Sequence, residues 1–351
     1  MTQPKVRLHY VDIARALSII LLVLGHTLGY SENSVLIYKG IYTFVVPLFF
    51  LVSGFVMRRK GTFLEFAKTR FIRIMLPYFI WAFLYLVPYL LLSGDVAVSL
   101  DRPSRVVWTL IRNTLYGVGK DYGLQQNSSL WFLPALFTME LACYWIFLLV
   151  EKINKAWAEA AVFLALMAGG ALFSKYITFV FPWGLNTVFM ASIFYYTGYI
   201  LREYDIIGKI MNHRFKMLWI LLFAAAGFTA GWKNGILVNF MSYRIGNALL
   251  AYASGICLSV VVLCFSYWIK KSQILEYIGR NTMSVMLFHK LLVVIFQTKL
   301  GPLTKILRNS SMPAEVGLGL GITALAVAFS LAAAHIIRKV FPPAIGEKRK
   351  I

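Results

Sequence analysis

The sequence predicts an all-α fold: a polytopic membrane helix bundle of about ten transmembrane helices, with the N- and C-termini cytoplasmic. Three observations carry that reading. Of 351 residues, 60% are apolar and 14% are charged, with a mean hydropathy of +0.72. A soluble domain has about 45–50% apolar and about 25% charged residues. The apolar residues gather in ten runs, most of them long enough to cross a bilayer. The basic residues divide unequally between alternate connections. The same composition excludes disordered, collagen-like, coiled-coil and small disulfide-framework classes.

In chain order the runs are 11–30, 41–57, 74–93, 130–150, 158–174, 185–201, 217–232, 245–269, 281–299 and 314–337. The first follows a basic start, which raises the question of a signal peptide. Val11–Tyr30 is too long for a leader's apolar core and lacks a small-x-small cleavage site, so it is read as a retained span. The second, fifth and seventh runs are short, as a tilted or thin placement allows. Pro47 in the second and Pro134 in the fourth are kink positions. The fourth also carries Glu140, and the ninth carries His289 and Lys290 mid-span. Between the third and fourth runs lies the longest connection, 94–129. Its stretch Ser104–Tyr116 alternates Arg105 and Arg112 with Val, Trp and Leu, which fits an interfacial amphipathic helix. No repeat, low-complexity tract or linker divides the chain, so 1–351 reads as a single integral membrane domain.

Lys and Arg number 35 against 14 Asp and Glu, a formal net charge of +21. In a soluble chain that excess points to nucleic acid; in an apolar one it reads as the positive-inside bias, with the bilayer as partner and no nucleic acid. With the N-terminus inside, the inside segments hold 22 basic residues and the outside connections 11. The expected location is the cell inner (cytoplasmic) membrane, multi-pass. Cys143, Cys257 and Cys264 lie in apolar runs with no CxxC and no ligand cluster, so neither a metal site nor a disulfide framework is expected.

The first span carries Asp12, Arg15 and His26. Ionisable groups in a membrane helix are costly and face a protein interior or a wet cavity. Arg15 and His26 are 11 residues apart, which puts them on one stripe, about 16 Å apart along the axis. Asp12 falls on the same side. One helix face thus offers an acid and a cation at the cytoplasmic end and an imidazole deep in the bilayer. A helix cap plus a His satisfied by a neighbouring carbonyl is the bland alternative.

Further motifs follow in order. Val46-Pro-Leu-Phe-Phe-Leu-Val-Ser-Gly-Phe55 opens the second span's core. Arg70-Phe-Ile-Arg73 precedes Leu76-Pro-Tyr78. Leu130-Trp-Phe-Leu-Pro-Ala-Leu136, Phe194-Tyr-Tyr-Thr-Gly-Tyr199 and Gly279-Arg-Asn-Thr-Met-Ser-Val-Met-Leu-Phe-His289 come later. Together with Asp12-x-x-Arg15 and Gly25-His26, these resemble the acyltransferase family 3 membrane proteins, nearest the short sugar O-acetyltransferases of the fucose 4-O-acetylase type. Thr282 and Met286 stand where that family often has Ser and Tyr.

The resemblance implies an integral membrane O-acyltransferase. It would move an acyl group, commonly acetyl, from acetyl-CoA as co-substrate to a hydroxyl of a carbohydrate or glycolipid acceptor, with no permanently bound cofactor. A hydroxyl is a poor nucleophile until a base takes its proton, and His suits that near neutrality. His26 is the expected base, with an acyl-His relay as the alternative. Arg15, Arg58, Arg70 and Arg73 are expected to hold the nucleotide phosphates, because guanidinium donates bidentately; Ser53 is placed beside the acyl-CoA arm. Arg58, Arg59 and Lys60 also serve as topology charges, and Ser53-Gly54 also fits close helix packing. Trp131 and His289 are assigned to the acceptor, although Trp131 also fits an interfacial aromatic belt. Asp12 and Glu140 complete the catalytic set, and Glu140 either orients His26 or pairs with Lys290. A transporter of an acylated precursor or small solute is the alternative; it favours internal repeats with broken helices, and none is detected.

Overall fold

The computed structural model describes residues 8–28, 34–92, 103–119, 123–299 and 311–347. The chain runs through α1 (His9–Gly25), α2 (Val35–Val56) and α3 (Phe63–Arg70). A π-helical turn (Phe71–Met75) joins α3 to α4 (Leu76–Leu84), and α5 (Leu86–Leu92) continues it. Then come α6 (Pro103–Tyr116), α7 (Phe132–Ile153), α8 (Ala156–Tyr176), α9 (Leu185–Glu203) and α10 (Ile206–Asn212). The last five are α11 (Lys216–Asn234), α12 (Ala248–Ile269), α13 (Gln273–Arg280), α14 (Thr282–Lys299) and α15 (Met312–Val340). Among the described residues there is no strand, and two isolated bridges, Val118–Gly123 and Asn239–Arg244, tie loops.

Every apolar run of the sequence falls on a helix. Six helical stretches are long and apolar enough to cross a membrane: 35–56, 63–90, 128–153, 156–176, 248–269 and 312–340. Several boundaries differ from expectation. The second span is not short: α2 starts at Val35 and has 22 residues. Its additional turn and a half carries Tyr38 and Lys39, polar tips that hydropathy discounts. The fifth run also lengthens, to the 21 residues of α8. The first ends earlier, with His26 as the C-cap of α1 rather than mid-helix; the end of that predicted run, 29–30, lies outside the described residues. The connection 58–73 is mostly helix. Thr62 caps α3 in a reciprocal box with Glu65, which sets its start. Pro77 lacks the N–H that would bond the Arg73 carbonyl, and the backbone there widens into the π-turn. The amphipathic stretch 104–116 is helical as expected and is tied to the bundle, where Tyr78 Oη donates to the Thr114 carbonyl at 2.6 Å.

One buried cluster runs through α1, α2, α7, α9, α12 and α14, with Ile19, Leu48, Met139, Tyr195, Leu263 and Leu287 at or near zero exposure. Close helix approach is set by glycine at the crossing of α2 and α9. A Cβ on Gly54 would lie 1.9 Å from the Tyr195 carbonyl oxygen, and one on Gly198 would lie 1.9 Å from the Leu51 carbonyl oxygen. Each helix thus fits its backbone into the other's notch, the small-residue packing that membrane helices use without a hydrophobic driving force. At the His9 end of α1, the Asp12 carbonyl fits against Gly279 on α13, and His9 Nδ1 lies 2.8 Å from Glu276. That contact holds the Glu276 carboxyl below the usual carboxylate range. A lowered folded-state value adds stability above the unfolded one, and that stability is lost as acid carries the pH down through the lowered value.

The outward faces are apolar. Trp157, Leu164 and Leu172 on α8, and Trp219, Leu221, Phe228 and Trp232 on α11, are all exposed. A soluble surface does not carry contiguous patches of that kind, and lipid covers them here.

Gly198→Ala should lower stability by about 1–3 kcal/mol, because a backbone carbonyl cannot rotate away as a side chain can. Gly40→Ala in α2 should be neutral or better, since nothing lies within 4 Å of its added Cβ and Ala is the better helix former. Thermal unfolding of both variants in one detergent checks this; equal midpoints would deny the Gly198 notch its role.

Candidate functional site

Two polar centres sit at opposite ends of α1. His26 closes the helix at the first. Its ring Nδ1 lies 3.0 Å from the Tyr42 hydroxyl, and its face stacks on His289 with centroids 5.4 Å apart and planes 17° from parallel. Tyr42 comes close because Gly25 offers no side chain there: a Cβ would meet the Tyr42 ring at 2.8 Å. His289 is fully buried. Its Nδ1–H donates to the Val285 carbonyl at 2.7 Å, which leaves Nε2 to accept from the Ser129 hydroxyl at 3.4 Å. His26 opens onto a cavity of about 240 Å³ whose polar lining includes Tyr38, Tyr42, Ser129, Asn239 and Lys290, with Trp131 and Phe132 as aromatic walls. The hairpin that ends in the Asn239–Arg244 bridge supplies Val238–Met241 as one lip.

The second centre lies at the His9 end of α1. Arg15 reaches Asp12 at 3.9 Å, and Arg70 Nε lies 3.0 Å from the buried Glu140. That contact is an ion pair without an aligned hydrogen bond. Arg15 and Arg73 are the next cations to act on Glu140. The π-turn re-aims this helix: Arg70 precedes it and turns inward, while Arg73 within it stays exposed. Arg58 is also exposed, Arg59 pairs with Glu151, and Arg202 donates to the Phe55 carbonyl at the end of α2.

The structure therefore splits the sequence-predicted set. Arg15, Arg70 and Arg73 gather around Glu140. Glu140 neither orients His26 nor pairs with Lys290: its partner is Arg70, at the other end of the molecule. Asp12 likewise sits about 21 Å along α1 from His26, too far to touch it. Ser53 Oγ donates to the Phe49 carbonyl of its own helix at 2.8 Å, and the packing role of the Ser-Gly pair belongs to Gly54. Trp131 lines the His26 cavity. His289 stands behind His26 and does not line the cavity.

Sequence reading missed Tyr38 and Tyr42. Their i, i+4 spacing with Val46 continues the face of α2, a signal that a window on hydropathy averages out. It also missed Glu315, fully buried at the start of α15, whose Oε1 accepts from the Ser34 hydroxyl at 2.7 Å. Among the described residues, no group of His, Cys, Asp and Glu could hold a metal ion.

A model of the acyltransferase 3 family, described as an acyltransferase domain, matches residues 8–335. The curated protein "Glucans biosynthesis protein C" of Escherichia coli O6:K15:H31 (strain 536 / UPEC) is 26% identical over 179 residues. That match takes in 46% of this chain and 45% of that protein, so the chain spans about half the length of the curated relative it matches. No solved structure matches.

Removing one partner of the Arg70–Glu140 pair should destabilise the bundle by about 3–5 kcal/mol, because a charge is then left buried alone. Arg70→Met paired with Glu140→Gln should recover a good part of that loss. A double-mutant cycle on thermal midpoints reads the coupling; strictly additive losses would mean the two side chains do not depend on each other.

Proposed function

The chain belongs to the acyltransferase 3 family, and on that premise we propose a membrane O-acyltransferase that moves an acetyl group from cytoplasmic acetyl-CoA to a carbohydrate hydroxyl of the cell envelope. The observation that carries this reading is the division of α1: a base-bearing cavity at one end and an arginine cluster at the other, about 16 Å apart along one helix. The positive-inside count supports ten spans with the arginine end cytoplasmic and the His26 end toward the outside. The nucleotide phosphates of acetyl-CoA then rest on Arg73, Arg58 and Arg15. The thin pantetheine arm follows α1 and brings the thioester to His26.

The chemistry follows from the tautomer. In the tautomer whose Nδ1–H donates to the Tyr42 oxygen, Nε2 is the basic nitrogen of His26. Nε2 takes the proton of the acceptor hydroxyl as that oxygen bonds to the thioester carbonyl carbon. The C–S bond breaks, coenzyme A leaves as thiolate, and the imidazolium returns the proton to sulfur. The products are an O-acetyl ester and the free thiol. Lys290 lines the same cavity and can stabilise charge on the carbonyl oxygen. Trp131 offers a flat wall to a sugar ring. The name of the glucan-biosynthesis relative is consistent with a carbohydrate acceptor.

His26→Ala should cut acetyl transfer by about 10²–10⁴-fold without lowering the thermal midpoint by more than a few degrees. Tyr42→Phe should lower kcat with little change in either KM. Transfer assays with labelled acetyl-CoA decide; a His26→Ala protein retaining more than about a tenth of wild-type turnover would exclude the base assignment.

Arg73→Ala should raise the KM for acetyl-CoA, by about tenfold for one charge-assisted phosphate contact, and leave stability intact because its side chain is exposed. Arg70→Ala is the poorer probe, since it also strands Glu140. Unchanged coenzyme A affinity in Arg73→Ala by calorimetric titration would return Arg73 to a topology charge.

A further inference from the structure

A groove of about 640 Å³ plays no part in the chemistry above. It lies on the outer face of the bundle, between the start of α2, the end of α11 and α12. Leu36, Phe228 and Trp232 line it and are all well exposed, so it opens to the surrounding lipid. Two cations also line it, Lys39 on α2 and Lys233 on α11, and no acidic side chain does. Among the described residues neither lysine side chain makes an ion pair or hydrogen bond. At Gly40 the trough is open: a Cβ there would meet nothing within 4 Å. An apolar trough with two unpaired ammonium groups at a membrane surface suits a long apolar tail joined to a phosphate.

The groove shares a wall with the His26 cavity. Lys39 and Thr43 of α2 face the groove, while Tyr38 and Tyr42 face the cavity. The segment after α11 does the same, with Ile236 in the groove and Val238–Met241 in the cavity. One helix diameter, about 10–12 Å, separates the two. An ordinary phospholipid headgroup would fill the groove without using the cavity.

We propose that this groove is the seat of a lipid-phosphate-linked sugar: its tail lies against Leu36, Phe228 and Trp232, its phosphate between Lys39 and Lys233, and its sugar over α2 at His26. The proposal rests on the acyltransferase reading for what happens to the sugar, but not for the binding itself. The test separates them. Binding is measured by native mass spectrometry with a synthetic prenyl-phosphate-linked hexose and no acetyl-CoA, in wild type, in Lys39→Gln/Lys233→Gln and in Gly40→Leu. Gly40→Leu puts a side chain into the trough at a position where its Cβ meets no atom within 4 Å, and serves as the variant that keeps its fold. Both variants should bind the probe at least about tenfold more weakly, the double lysine variant through two lost phosphate contacts and Gly40→Leu by occupying the place of the tail. In turnover, the ratio of KM for the lipid-linked hexose to KM for a methyl hexoside should rise by the same factor.

Unchanged probe binding in either variant overturns the site. Equal displacement of the probe by phosphatidylglycerol overturns the assignment to an acceptor and makes the groove a seat for anionic phospholipid. Lysine-dependent binding in a wild-type protein that acetylates neither hexose sinks the acyltransferase reading and leaves the lipid site standing.

Discussion

An ionised side chain surrounded by hydrocarbon must find an opposite charge or a polar cavity, and the arrangement of this bundle follows from that constraint. Glu140, buried in α7, fixes Arg70 beside it. Arg70 fixes the rotation of α3, and the π-turn after it lets α4 resume its own apolar face toward the core. Arg15 answers Asp12 within α1, and the Arg70–Glu140 pair joins α3 to α7 at the same end. At the other end the same constraint is met differently. His26, Lys290 and the two tyrosines face a cavity, and His289 is satisfied by a carbonyl and a hydroxyl. One end is held by charge pairs and the other encloses a cavity.

Much of this was legible in the sequence. Hydropathy located α1, α2, α7 and α14, which carry most of the site residues, because an apolar run of about 20 residues has few alternatives in a membrane. The 11-residue spacing of Arg15 and His26 gave their common stripe, since helix geometry is local. Partners across helices were not legible. Nothing in the sequence distinguishes Arg70 from Lys290 as the neighbour of Glu140, because pairing depends on which helices touch. The start of α2 was hidden for another reason. Tyr38 and Lys39 lower the windowed hydropathy, so the run reads as beginning at 41, and the side chains that shape both cavities fall into what reads as a loop. The π-turn is equally silent, although Pro77 four residues after Arg73 marks where a backbone hydrogen bond must be missing.

Rigidity is distributed to match. Gly54 and Gly198 lock α2 against α9 by backbone contact, and α2 carries Tyr42 on the same rigid body. The position of the Tyr42 hydroxyl is therefore set by packing some three turns away rather than by the loop before it. Gly25 does the same on α1, where any larger residue would push the Tyr42 ring off His26. A base whose orienting partner sits on a packed helix keeps its tautomer without help from substrate, and such preorganisation is what a proton transfer requires.

The two faces of α2 carry different polar sets. A helix that presents Tyr38 and Tyr42 to one cavity and Lys39 and Thr43 to another is polar on two sides within its first three turns. Tyr and Lys are ordinary at the interfacial end of a span, and here they divide between two cavities. Both sets persist in a helix that is otherwise apolar to Val56. In the proposed reaction the two sides share the handling of the acceptor. The lysine side holds it at the bilayer surface, and the tyrosine side orients the base that deprotonates it. The short wall between them then sets which hydroxyl of a tethered sugar can reach His26, so regioselectivity would be governed by tether length across α2 and not by contacts within the cavity alone.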